Sequence, residues 1–223
     1  MHGCTRPQSI QGHLDMMRGP CWLLAFLPLA GLAEPTNPID LLARIRQSGQ
    51  AQFHYEETRQ LELASAPWQG QGYMLSGADG GLVKLQLNPK RVIMAIADER
   101  MYYWDPEQNQ RHTAPLDYAD QAAEQIKVFR SILQGQTEQL QTNYDFTAEQ
   151  NNKRWTLRLT PKPDQSVEET PAIEISGDDG DRERRILIRQ ADGESTEYRM
   201  LKTNPEQGPA YSMQSLLREA IGD

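Results

Sequence analysis

Residues 51–63 read AQFHYEETRQLEL, and their period is two. Phe53, Tyr55, Leu61 and Leu63 fall on one face, while His54, Glu56, Thr58, Gln60 and Glu62 fall on the other. That alternation predicts a long β-strand with one face buried. Glu57 and Arg59 interrupt the apolar face. Either they pair with neighbours at a rim, or the strand bulges there.

Short strands are predicted downstream at Gly72–Ser76, Gly81–Leu87, Val92–Ala97 and Met101–Trp104. Turn residues separate them: Ala78-Asp79-Gly80-Gly81, Asn88-Pro89, Ala97-Asp98 and Asp105-Pro106. Strands resume with Trp155, Leu157 and Leu159, then Ile173 and Ile175, Ile186 and Ile188, and Tyr198 and Met200. Ser176–Asp181 and Asp192-Gly193 supply the last turns, and Asp-Gly is a strong hairpin signal. Even spacing without long helices between strands predicts hairpin-built antiparallel pairing, as in a sandwich or barrel.

Helices flank this pattern. Thr36 to Ser48 carries Ile39, Leu42 and Ile45 at helical spacing, with Pro38 suited to the first turn and Gly49 to the stop. In the middle, Asp117 caps an amphipathic helix whose stripe is Ala122, Ile126, Phe129, Ile132 and Leu133, ending at Gly135. A second turn starts at Thr137, with Leu140 facing inwards. Tyr211–Ile221 reads as a weak helix free to move.

Upstream, Arg18, the apolar run Trp22 to Leu32 and Gly31-Leu32-Ala33 describe a secretory leader cleaved after Ala33, with the true start at Met16 or Met17. The run is shorter than the ~20 apolar residues that span a bilayer. Both cysteines, Cys4 and Cys21, fall within it or upstream, and neither has an acylation setting, so residues 34–223 are expected to carry no disulfide or thiol chemistry. Without Arg6, Arg18 and Asp15, 21 basic and 30 acidic residues remain. That acidity disfavours nucleic acid and anionic membrane surfaces as partners. Residues 34–223 are enough for one domain with a sizeable core.

Chemistry-bearing motifs are sparse. His54 and His112 have no serine elbow, cysteine or second metal ligand at a working spacing. Asp178-Asp179-Gly180-Asp181 reads as a solvated hairpin turn, since a calcium loop needs a later glycine and a distal glutamate. Glu56-Glu57 and Glu168-Glu169 are adjacent pairs, which on a strand point to opposite faces and make no dyad. Gly77 to Gly81 lacks the lysine and helix of a phosphate loop. No catalytic residue, cofactor or metal is therefore expected. What is abundant is apolar strand surface together with Met74, Met94, Met101 and Met200, and methionine suits sites that accept several ligands.

The order of elements resembles the outer-membrane lipoprotein carrier (LolA) family, including its divergent related branch. The resemblance is carried by AQFHYEETRQLEL and by NPKRVIMAIADERMYYWDPEQNQRHTAPL at 88–116, with Asp98-Glu99, the aromatic Met101-Tyr102-Tyr103-Trp104 and Asp105-Pro106. It continues through Ile132-Leu133-Gln134-Gly135, Tyr144-Asp145-Phe146 and Trp155 to Pro161, covering most of 36–202. It implies a mainly β, α+β fold: an unclosed antiparallel β-barrel with amphipathic helices covering an apolar cavity. It implies a periplasmic carrier, monomeric and not an enzyme, that holds the acyl chains of a lipoprotein or related lipid for transfer toward the outer membrane, between membrane-bound donor and acceptor proteins. The acyl contacts it implies are Phe53, Tyr55, Met74, Leu85, Leu87, Met94, Ile96, Trp155, Leu157 and Leu159, under a lid face of Ile126, Phe129 and Leu133. One feature departs from the family: Gly77-Ala78-Asp79-Gly80 stands where the carriers have an arginine-proline pair that holds the lid. Two other readings compete. One is a periplasmic sensor or protein-interaction module with a filled core; the weaker is a hydrolase built from scattered carboxylates.

Overall fold

The computed structural model describes residues 34–35, 37–45, 51–116, 130–132, 137–163, 170–180, 182–204 and 211–223. All of them belong to one compact unit, 32–223. The fold is mainly β. The strands are β1 (Glu34–Pro35), β2 (Ala51–Gln60), β3 (Trp68–Ser76), β4 (Leu82–Asn88), β5 (Val92–Ala97), β6 (Arg100–Asp105) and β7 (Gln110–Pro115). They continue with β8 (Tyr144–Asn151), β9 (Arg154–Pro161), β10 (Ala172–Asp178), β11 (Glu183–Arg189) and β12 (Ser195–Lys202). Helices α1 (Pro38–Ile45), α2 (Thr137–Asn143) and α3 (Met213–Ile221) accompany them.

Among the described residues, these twelve strands form one antiparallel sheet in the order β1-β8-β9-β10-β11-β12-β2-β3-β4-β5-β6-β7. Two runs of sequential hairpins, β2–β7 and β8–β12, are joined where β12 pairs β2. The hairpins follow from local chemistry. Gly193 takes φ +90° after Asp192, whose carboxylate accepts the Glu194 N–H at 2.9 Å. Asp105 Oδ1 accepts the N–H groups of Glu107 and Gln108 at 3.1 Å, fixing the Asp105-Pro106 turn. Strands β1 and β7 end the order, so the sheet is not closed.

Alternation sorts the side chains into two apolar layers. The larger takes Phe53, Tyr55, Met74, Leu82, Ile96, Trp155, Leu157, Leu159, Ile173, Ile175, Ile186, Ile188 and Met200 from the sheet. Leu41 and Leu42 of α1, Leu140 of α2, Leu116 and Ile132 join it. This layer runs from β8 to β5, nine strands, or ~38 Å if flat at ~4.8 Å per strand. At ~1.5 Å per residue, α1 and α2 are each shorter than ~13 Å and cannot cover such a width. Wide twisted sheets bury a face of this kind by coiling on themselves.

The smaller layer lies on the opposite face. Leu75, Val83, Leu85, Ile93, Ala95 and Tyr102 pack there against Leu216 and Ala220 of α3. The C-terminal helix is thus anchored, contrary to the sequence expectation of freedom. Ser212 caps it by accepting the Ser215 N–H at 3.3 Å, and Gly222 closes it at φ +99°. Glu219 accepts two hydrogen bonds from the Arg91 guanidinium at 2.5 and 2.8 Å. Arg111 lies 3.9 Å from the Trp104 ring centroid and donates to the carbonyls of Glu219 and Ala220 at 2.9 and 3.0 Å. Because the Arg91–Glu219 pair is partly exposed, Arg91→Ala is expected to lower stability by only about 1 kcal/mol. Urea unfolding midpoints read this, and an unchanged midpoint would mean that the apolar layer alone holds α3.

Candidate functional site

The larger apolar layer gathers most of the acyl contacts expected from sequence. Phe53, Tyr55, Met74, Ile96, Trp155, Leu157 and Leu159 are all in it. Met94 shares this face, half-buried, directly across from Lys84. Leu85 and Leu87 do not share it. They point the other way, into the layer under α3. The expected parity of β4 was off by one because both of its faces are apolar. Of the expected lid, Ile126, Phe129 and Leu133 lie outside the described residues. Between Phe129 and Leu133, Arg130 to Ile132 is helical, with Ile132 buried against the larger layer.

Sequence reasoning missed contributors on this face. Tyr198 and Met200 of β12 and Ile186 and Ile188 of β11 belong to this layer, with Ile186 directly opposite Tyr198. Their alternation was legible; their distance from Phe53 was not, since only the β12–β2 pairing brings them there.

Within this face sits a polar cluster. Tyr55, Glu57 and Arg59 share one side of β2, as every second residue must. Tyr198 is the direct partner of Glu57 on β12. Across β3, the partners of Tyr55 and Glu57 are Gly72 and Gly70, which put no side chains between β2 and β4. Lys84 therefore spans that strip from β4. The Glu57 carboxylate accepts hydrogen bonds from Arg59 Nε at 2.7 Å, from Tyr198 Oη at 3.0 Å and from Lys84 Nζ at 2.5 Å. The Lys84 ammonium lies 5.2 Å from both the Tyr55 and the Tyr198 ring centroids, a favourable placement for a cation over ring faces. Arg59 rests over Trp68 at 4.7 Å. Neither alternative offered by the sequence describes Glu57 fully. The pair with Arg59 exists, but the carboxylate is buried, and the register of β2 runs unbroken against both neighbours. The bulge is elsewhere, between Gln71 and Gly72 of β3.

Exposure grades across the cluster, from 0% for the Glu57 side chain to 11% for Lys84 and 40% for Arg59. Burial pushes the Glu57 carboxyl up, yet Lys84 and Arg59 together outweigh it and hold the group below its ordinary value. For Lys84 burial wins: the ammonium is pushed below its ordinary value despite the pull of Glu57. Burial, then the charge of Glu57, drives the Tyr55 and Tyr198 hydroxyls up, keeping both protonated.

The remaining candidates are apart from this site. His54 is edge-on to Tyr73 at 5.4 Å on the opposite face of β2, and His112 is exposed on β7 beside Tyr103. Glu56 is exposed on the face away from Glu57. Asp178 accepts the Arg182 N–H at 3.1 Å within a hairpin turn. Among the described residues, no group of three or more His, Cys, Asp and Glu side chains could hold a metal ion.

No family model matches the chain, and no curated protein matches its sequence. Solved structures do match. A LolA superfamily protein from Nitrosomonas europaea is 11% identical, with a TM-score of 0.40 over 76% of this chain and 94% of that one. A chain of the MucA/MucB complex of Pseudomonas aeruginosa is 16% identical, with a TM-score of 0.44 over 81% of this chain and 60% of that one. A DUF1329 family protein from Desulfovibrio piger is 11% identical, with a TM-score of 0.43 over 80% of this chain and 96% of that one.

Proposed function

We propose that residues 34–223, exported behind a leader cleaved after Ala33, form a periplasmic carrier that shelters acyl chains of a lipid or lipoprotein on the inner face of the sheet, for transfer toward the outer membrane. The observation that carries this reading is the broad apolar face from β8 to β5, interrupted by the cluster around Glu57, which includes side chains that are only half-buried, Met94, Phe146 and Tyr198. Removing an acyl chain from water onto such a face is worth ~25 cal/mol per Å² of apolar area. A partly exposed, methionine-bearing surface holds cargo reversibly, which delivery requires.

The test is binding. Mass spectrometry of lipid extracted from the exported protein is expected to find acyl species. A fluorescent acyl probe with an uncharged end is expected to bind. Phe146 packs on the edge of the layer without being fully buried, so Phe146→Glu places a charge on the face without emptying the core. It is expected to weaken the probe about tenfold, since displacing two methylenes from apolar contact is worth ~1.6 kcal/mol. Circular dichroism melting checks that the variant folds. A folded protein that yields no lipid and binds no probe would overturn the carrier and leave the interaction module, with the same face a filled core.

A further inference from the structure

We infer that Lys84, Arg59, Tyr55 and Tyr198, arranged around Glu57, form a binding site for the anionic end of an amphiphile, a carboxylate or phosphate joined directly to the acyl chain. The inference rests on the acyl-binding reading above and names the head that such a tail would carry. Three observations converge. First, the cluster holds two cations to one carboxylate, and among the described residues Glu57 is the only carboxylate that acts on Lys84. An ammonium this buried, with an arginine as its other charged neighbour, is poorly compensated, and a second anion would relieve it. Second, the Tyr55 hydroxyl is buried on the same face and has no hydrogen-bond partner among the described residues. An unused buried donor is rare and costly. Third, the cluster borders the apolar layer. Phe53 on β2 and Met200 on β12 adjoin it on its own strands, and Met74 on β3 and Met94 on β5 are the register partners of Lys84 on either side. Arg59 is the exposed end, so an anion has a cation at the mouth and another inside.

Glu57 occupies the donors that the ligand would use. An arriving carboxylate or phosphate takes hydrogen bonds from Lys84 and Tyr198, and Glu57 keeps Arg59. When the ligand leaves, Glu57 restores the original set. An acyl chain ending in an ester or amide carries no charge and would gain little from the cluster.

Dodecanoate, dodecyl phosphate, dodecanol and inorganic phosphate, each titrated against the exported protein by displacement of the uncharged acyl probe or by calorimetry, test this. At least one charged amphiphile is expected to bind about tenfold or more tightly than dodecanol, the increment of a charge-assisted pair in a dry setting. Lys84→Met is expected to bring that ratio close to one, and Glu57→Gln to raise it by removing the internal competitor. Arg59→Gln changes the exposed end and lowers the ratio, so the test stands even where Lys84→Met does not fold. Equal binding of charged and uncharged amphiphiles by the wild-type protein overturns the inference and leaves the acyl reading intact. So does a ratio that survives both Lys84→Met and Arg59→Gln. Inorganic phosphate binding as tightly as dodecyl phosphate also overturns it, by revealing an anion site unconnected to a tail. Failure of every tailed probe, dodecanol included, refutes the acyl reading itself.

Discussion

A Glu57→Ala protein is expected to lose about 3–5 kcal/mol of folding stability, because the substitution strands the buried Lys84 ammonium and removes the acceptor of Tyr198 and Arg59. Glu57→Gln, which keeps an oxygen acceptor, is expected to cost less. Urea unfolding of both gives the comparison. The pH dependence gives the sign. The folded-state pKa of Glu57 lies below its unfolded value, so its contribution is complete above the ordinary carboxylate range and is lost as pH falls through the folded value. Lys84 acts at the other end. Its folded pKa is lowered, so the unfolded chain binds more protons between the two values and stability rises with pH in that alkaline window. Glu57→Ala should flatten the acid limb of the profile. An acid limb of undiminished slope would mean that other carboxylates, such as Glu197, held down to about 2 chiefly by the hydrogen bond from Arg185, dominate it.

Gly72→Ala is expected to be almost as damaging, at about 3 kcal/mol. A β-carbon there would stand 1.9 Å from the Leu85 carbonyl oxygen and 3.0 Å from the Gln86 α-carbon. Both are backbone atoms of β4, placed by the register shift at Gln71/Gly72, and neither can swing aside. Gly70→Ala is the control. Its β-carbon would meet the Trp68 ring at 2.4 Å, the movable end of a side chain, so the cost is expected to be smaller. Equal losses in the two proteins would mean that the close approach of β3 and β4 is not what requires a glycine.

Much of this architecture was legible in sequence. Phe53 and Tyr55 alternate with polar residues on β2, and that strand has one dry face and one wetter one, as its pattern says, but it stops at Gln60, which leaves Leu61 and Leu63 of the expected buried face exposed. Asp192-Gly193 predicted a hairpin and makes one. Leu140 was expected inside and is buried at 3%. The failures have physical causes. In β4, Leu82 serves the larger layer while Val83 and Leu85 serve the smaller, so hydrophobicity carries no parity signal when both faces are covered. QRHTAP of β7 has little of the β-branched and aromatic content that marks strands, and its exposed residues are held in place by pairing with β6. The C-terminal helix looked weak alone because its stability comes from docking on β4–β7, including the reach of Arg91 across 128 residues to Glu219. The polar cluster was half visible. Glu57 and Arg59 stood out as interruptions, whereas Lys84 is 27 residues away and was unremarkable until two glycines of β3 let it cross.

The unpaired ends of the strand order have a consequence for loading. A ring-shaped sheet admits a guest only through its mouths, and a guest with a wide attachment stays outside. Among the described residues β1 and β7 share no ladder, so a tail of the proposed kind would enter beside either end strand without any backbone hydrogen bond giving way, while whatever it is tethered to would trail in water. The same two ends leave raw strand edges, which invite pairing between copies. Pro35 and Pro115, each lacking an N–H, lie on those two border strands, and β1 is only two residues long. Both features work against an edge recruiting a further strand.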